Sequence, residues 1–148
     1  MEQLSPRTEY SDIQNKDGNE ITVSLPGTLS ATATNYGVFF IANRPIEITK
    51  IKEVHSTAGS DAGAVTLQIE KLTGTTALDS GSTILNTTFD LKGTANTVIS
   101  YSGYIGLNTN RQLKEGDRLA LKDAGTLTDL AGVCVTIYYK YLGSGQYK

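Results

Sequence analysis

A chain of 148 residues suits one domain and can bury roughly 70% of its unfolded surface, so a sizeable core is available while a second independent domain is not. With 13 basic against 15 acidic residues the net charge is −2, which gives no sequence-independent attraction to phosphate backbones or anionic lipid and argues against nucleic acid or membrane as partners. One cysteine, Cys134, excludes an intrachain disulfide, and one histidine, His55, leaves no ligand set for zinc or iron.

Residues 1–19 are polar and aperiodic, with Leu4, Tyr10 and Ile13 as scattered apolar anchors, and they read as an extended N-terminal arm ahead of a single domain over 20–148. Through Glu20 the arm holds five acids and two bases, a net −3, which leaves the remainder of the chain at +1. Such an arm is either a disordered tail or a segment that orders against a neighbouring subunit, where its apolar residues become useful. Asn15 to Glu20 has the look of a calcium loop but lacks the alternating acids and the final bidentate Glu at the required spacing, so a Gly-containing turn is expected there.

Glu20 to Leu25 alternates as a strand, with Ile21, Val23 and Leu25 on one side, and Pro26-Gly27 turns. The continuous apolar run from Tyr36 to Ala42 predicts a strand buried on both faces, closed by Asn43-Arg44-Pro45. Ile46 to His55 begins with Ile46 and Ile48 in phase and slips at Ile51, which predicts a bulge near Thr49-Lys50. After the small-residue loop Ser56 to Gly63, Ala64 to Leu72 alternates with Val65, Leu67 and Ile69 inward and Thr66, Gln68 and Glu70 outward.

Ser82 to Leu91 places Ile84, Leu85, Phe89 and Leu91 at spacings that fit either one helical turn or an irregular strand. Thr97 to Ile105 is strand-like, and Asn108 to Arg111 turns. Beyond the Glu115-Gly116-Asp117 turn, Leu119 and Leu121 alternate with Arg118, Ala120 and Lys122, and this strand feeds the last one through Gly125 to Ala131. From Gly132 to Leu142 the period is two: Val133, Val135, Ile137, Tyr139 and Tyr141 lie on one side and Cys134, Thr136, Tyr138 and Lys140 on the other.

About eight strands, plentiful Gly and Thr, and neither helix caps nor a 3.6-residue period predict an all-β antiparallel sandwich of jelly-roll type. The strand order stays open, because a Greek key and a meander leave the same alternation. No fixed repeat points to a propeller or solenoid. No run of about 18 apolar residues and no basic-then-apolar leader occur, so neither a membrane span nor secretion is expected.

Chemistry finds little to build on. Any Ser-His-Asp arrangement must pass through His55, whose neighbours Ser56, Ser60 and Asp61 share one loop, whereas triad partners come from separated segments. A strand-end histidine with satisfied hydrogen bonds is the better reading. Glu53, Glu70, Asp90 and Asp117 lie on or beside strands, and nothing in the spacing pairs any two of them as a glycosidase would require. No phosphate-binding Gly-rich loop is present. The expectation is a protein without catalytic residues, cofactor or metal.

Tyrosine stands out, with eight copies, several of them in the late strands. A tyrosine facing outward from a strand offers rigid amphipathic contact area. Tyr138, on the opposite side from Val135 and Ile137, is the first candidate, with Tyr101 and Tyr104 next. Together with Leu4, Tyr10 and Ile13 of the arm they make up the expected interaction set.

Three blocks carry a family resemblance: Val54 to Ala77 (VHSTAGSDAGAVTLQIEKLTGTTA), Thr83 to Val98 (TILNTTFDLKGTANTV) and Leu113 to Leu142 (LKEGDRLALKDAGTLTDLAGVCVTIYYKYL). The segment Val54 to Tyr141 resembles the head decoration, or cement, proteins of tailed bacteriophages. The resemblance implies a sandwich made in the host cytoplasm and seated on the capsid exterior of the virion. There it would bridge subunits of the major capsid protein and stabilise the shell, as a homo-oligomer, first a trimer and otherwise a dimer. A receptor- or glycan-binding module of a fibre, or a neck or connector protein, is the alternative with the same composition.

Overall fold

The computed structural model describes residues 18–28, 37–102 and 108–143. They form strands β1 (Asn19–Thr28), β2 (Val38–Ile41), β3 (Ile46–Val54), β4 (Thr66–Leu72), β5 (Ser82–Thr83), β6 (Phe89–Asp90), β7 (Ile99–Tyr101), β8 (Gln112–Leu113), β9 (Arg118–Ala124) and β10 (Ala131–Tyr141), with a single helical turn, α1 (Asn108–Arg111), before β8. The first sheet runs β1-β10-β3-β7, with β8 also on β3. The second runs β2-β9-β4-β5, with β6 also on β4. Every pairing is antiparallel.

The chain is thus an all-β sandwich. If β5 and β6 count as one interrupted strand and the two-residue β8 is set aside, the strands have the order of a jelly roll: successive strands switch sheets except where β4 turns back into β5, and the first and last strands are adjacent in one sheet. The expected succession of β9 into β10 holds along the chain only. β9 lies in the second sheet and β10 in the first, because the link between them crosses the end of the sandwich and buries Leu127 and Leu130 as it does so.

β10 carries the pattern that organises the first sheet. Val133, Val135 and Ile137 are buried and Tyr139 nearly so, while Cys134, Thr136 and Tyr138 keep partial exposure. β3 lies beside it with the expected bulge: Ile48 faces Tyr139 and Lys50 faces Tyr138, so Thr49 is the extra residue, and its hydroxyl donates to the Tyr138 carbonyl at 3.2 Å. The extra residue resets the phase. Ile46 and Ile48 before it, and Ile51, Glu53 and His55 after it, are all buried. Opposite them the second sheet contributes Leu67, Ile69, Leu119 and Leu121, and Ile84, Leu85, Phe89 and Leu91 close the side. Each such side chain contributes about 1.5–3 kcal/mol by leaving water. The stretch from Ser82 to Leu91 is therefore an irregular strand, not a helical turn.

Two expectations need correction. The run ending at Ala42 is not buried on both faces: among the described residues β2 is an edge strand with β9 as its one neighbour, and Val38 and Ile41 are exposed, Ile41 at 62%. Gln68 and Glu70 do point away from the core, as their phase requires, yet they are buried, at 8% and 0% exposure. The chain from Thr73 to Leu85 folds back over the outside of β4 and covers them.

Candidate functional site

The cover on the second sheet is built from polar side chains that alternate outward along β4 and β9. Gln68 meets Leu85 twice, its amide donating to the Leu85 carbonyl at 2.9 Å and its Oε1 accepting the Leu85 N–H at 2.8 Å. Glu70 accepts the N–H groups of Asp79 at 2.8 Å and Gly81 at 2.9 Å. From β9, Arg118 donates to the carbonyls of Gly74 and Thr76, and Lys122 pairs with the Asp79 carboxylate at 2.8 Å. Gly81 approaches so closely that a Cβ there would lie 2.6 Å from the Lys71 carbonyl oxygen. This face is occupied by the protein itself.

The outer face of the first sheet has no such cover among the described residues. Thr22 and Thr136 exchange a hydrogen bond at 3.0 Å across β1 and β10, and Ser24 donates to the Cys134 sulfur at 3.5 Å. Tyr138 stands directly across from Lys50 and diagonally from Lys52, and the two ammonium groups lie 5.4 and 5.2 Å from its ring centroid. Both distances fall within the range of cation–π attraction. At one end Glu47 takes two partners, Arg111 at 2.9 Å and Lys140 at 3.3 Å. Neither Lys50 nor Lys52 meets a carboxylate among the described residues. The result is a hydroxyl-rich surface with Tyr138 beside two lysines that form no ion pair among the described residues, and with Glu20 of β1 across from the tyrosine.

Apolar exposure collects elsewhere, at the sheet edges. Val38 and Ile41 on β2, and Val98 and Ile99 at and just before β7, are the large hydrophobic side chains left exposed among the described residues. Edge strands also carry unpaired backbone groups, so these two strips are natural places for another chain to add.

The residues considered for catalysis have structural work. His55 is 1% exposed; its Nε2 donates to the Gly93 carbonyl at 3.1 Å, and its Nδ1 lies 3.0 Å from Oε1 of Glu53. A carbonyl can only accept, which fixes the proton on Nε2 and makes the Nδ1–Oε1 contact depend on one shared proton. Burial pushes the Glu53 carboxyl above the usual range, with the His55 contact opposing it, and Glu53 Oε2 is buried with no partner. The pair ties the loop after β6 to the end of β3, helped by the Asn96 N–H on the His55 carbonyl at 2.8 Å. Asp117 accepts the Lys114 N–H at 2.8 Å and Asp90 the Lys92 N–H at 2.9 Å, each closing a turn. No group of three or more metal-ligating side chains occurs among the described residues.

Of the six residues expected to make contacts, Tyr138 lies on the open face. Tyr101 is half-buried and stacks on Phe89 with centroids 4.7 Å apart, so its ring packs against the core. Leu4, Tyr10, Ile13 and Tyr104 fall outside the described residues. Lys50 and Lys52 were not singled out in the sequence. The signal that finds them is the bulge, because carrying the alternation past Thr49 puts both on the same side as Tyr138.

No protein-family model matches the chain, and no curated protein sequence does. Among solved structures, a chain of the capsid of Ralstonia phage GP4 superposes with a TM-score of 0.56 at 13% identity, covering 88% of each chain. A chain of the cyanophage Pam1 capsid asymmetric unit gives 0.52 at 12% identity, over 84% of this chain and 86% of that one. A chain of the Bacillus endospore appendages, a family of disulfide-linked pili, reaches only 0.41 at 13% identity. The two phage chains share this chain's fold along nearly its whole length.

Proposed function

We propose that this chain is a non-enzymatic structural protein of a tailed-phage virion that binds the outside of the major capsid shell and stabilises it as a decoration protein. The observation that carries the reading is the superposition on two phage capsid chains over more than four-fifths of every chain compared. At such low identity a likeness speaks for fold, and fold is compatible with many roles, so the surface has to support the rest. It does so in two ways. The carboxylates and the histidine weighed for catalysis each hold a turn, a loop or a strand end. The apolar strips on β2 and β7 and the open face of the first sheet give the molecule separate contact regions, which a protein bridging several shell subunits uses together. Weak contacts at each region multiply when the partners are fixed in a lattice, and a homo-oligomer, with a trimer expected, adds further copies.

The test is cryo-electron microscopy of the particle that carries this chain. Density for the sandwich at repeated positions on the outer capsid surface is the expected result. Density confined to a fibre or to the neck overturns the decoration reading and turns the same sandwich into an attachment or connector module.

A further inference from the structure

Glu53 and His55 are buried together at the end of β3, and the row they form with the Gly93 carbonyl has a fixed proton requirement. We propose that this row is a pH-operated latch: with two protons it holds the loop between β6 and β7 against the sandwich, and on losing one it lets that loop go.

Two hydrogen bonds make up the row, Nε2 to the Gly93 carbonyl at 3.1 Å and Nδ1 to Glu53 Oε1 at 3.0 Å, and each needs a proton of its own. The carbonyl only accepts, so one proton stands on Nε2. The second lies between Nδ1 and Oε1, and the other carboxyl oxygen decides its side. Glu53 Oε2 is buried with no hydrogen-bond partner among the described residues. An ionised carboxylate would keep a charged oxygen there without a donor, whereas a neutral acid leaves only a carbonyl-type oxygen, at a much smaller cost. Glu53 therefore carries the proton and donates it to Nδ1 of a neutral imidazole.

Loss of one proton to solvent rearranges both bonds. It leaves a carboxylate and an imidazole with a single N–H, and the charged acceptor makes the stronger bond, so the remaining proton passes from Nε2 to Nδ1. Nε2 then turns a lone pair towards the Gly93 carbonyl, which has nothing to donate, and that contact becomes repulsive. What comes loose is the stretch from Lys92 to Val98. Its other ties are the Asn96 N–H on the His55 carbonyl at 2.8 Å and the Lys92 ammonium on the carbonyls of Asp61 and Gly63 at 2.7 and 3.1 Å. The stretch leads directly into β7, so the latch also sets how the exposed Val98 and Ile99 are presented.

The surroundings leave the switch to this pair. Across the strand pairings Glu53 faces Val135 of β10 and Ile99 of β7, while Tyr101 further along β7 stacks on Phe89 and Tyr139 lies towards the far end of β10. In the loops, the carboxylates of Asp61, Asp90 and Asp129 take the Gly63 N–H, the Lys92 N–H and the Ser60 hydroxyl. From the opposite sheet, Lys71 donates to the carbonyls of Thr109 and Gln112, and Asp123 lies across from Leu67. Of all these groups only His55 acts on the Glu53 carboxyl, which burial pushes above its ordinary range.

His55 is the chain's only histidine, so its ring nitrogens can be followed without ambiguity by NMR of the isotope-labelled full chain. As pH is raised from mildly acidic to mildly alkaline, the ring proton is expected to move from Nε2 to Nδ1. The Gly93 carbonyl and Asn96 amide resonances should shift with the same midpoint, while those of Leu121 and Ile137 in the core stay in place. Amide exchange at Asn96 should accelerate several-fold beyond its ordinary rise with pH. Glu53→Gln supplies an amide that donates to Nδ1 at every pH, so in this variant Nε2 keeps its proton and the loop resonances do not move. A ring proton that stays on Nε2 throughout the native titration, loop resonances that fail to follow it, or a native-like shift in Glu53→Gln overturns the proposal. If Glu53→Gln does not fold, Leu121 and Ile137 report it and the titration of the native chain decides alone. None of these readouts depends on the capsid assignment.

Discussion

The two sheets expose opposite solutions on their outer faces. On the second, Gln68, Glu70, Arg118 and Lys122 alternate outward and are then used by the chain from Thr73 to Leu85, so that a face polar in sequence becomes interior. On the first, Thr22, Thr136, Tyr138, Lys50 and Lys52 alternate outward in the same manner, and no described segment covers them. The comparison teaches that outward phase and solvent exposure are separate properties. Phase is set by the strand, whereas exposure is set by whatever crosses the strand later.

That difference can be broken at several depths. Val135→Asp attacks the interior common to both sheets: a charge with no partner at a position of 0% exposure should cost about 4 kcal/mol or more, and urea denaturation should find little folded protein. A midpoint near that of the native chain would mean that the inner and outer sides of β10 are exchanged. Glu70→Ala orphans the N–H groups of Asp79 and Gly81 under the cover and should cost about 3 kcal/mol, with faster amide exchange across residues 73–85. Native protection there would refute the idea that the carboxylate fastens the loop.

Gly81→Ala forces a Cβ against the Lys71 carbonyl and should cost about 2 kcal/mol, measured as a lowered urea midpoint. The Glu53 carboxyl titrates above its ordinary 4.5 because burial disfavours its charge. Its contribution to stability is therefore complete below the unfolded value and is lost as pH rises through the higher folded one. The melting temperature of the native chain minus that of Glu53→Gln should accordingly fall as pH rises from the ordinary value of 4.5 through the raised folded one, and a difference that grows with pH would reverse the assignment.

Thr136→Ala is the smallest change and the most telling for the comparison. On an uncovered face the loss of its contact with Thr22 should stay within about 0.5 kcal/mol. A cost several times larger would show that the first sheet, like the second, is covered in solution.

Much of the fold was legible because period-two alternation reports the local pleat directly. β10 followed its pattern residue for residue, and the slip at Ile51 announced the bulge at Thr49. β2 was misread because an apolar run says nothing about how many neighbours a strand has. The contact surface was legible only in part. Tyr138 emerged from the alternation, but its flanking lysines needed the bulge to be placed, and the His55–Glu53 pair needed Gly93 from a distant loop to be recognised as a clasp.

By itself, then, the sequence determined that this is an all-β antiparallel sandwich, and which side of each long strand faces in. Those properties follow from side-chain volume, polarity and a two-residue period, all local. Strand order, the split of β9 and β10 between sheets, the burial of Glu70 and the exposure of Ile41 were decided only in three dimensions. Each depends on which segments far apart in the chain come to lie on one another, and that is a question of packing between elements, to which the alternation within any one of them is indifferent.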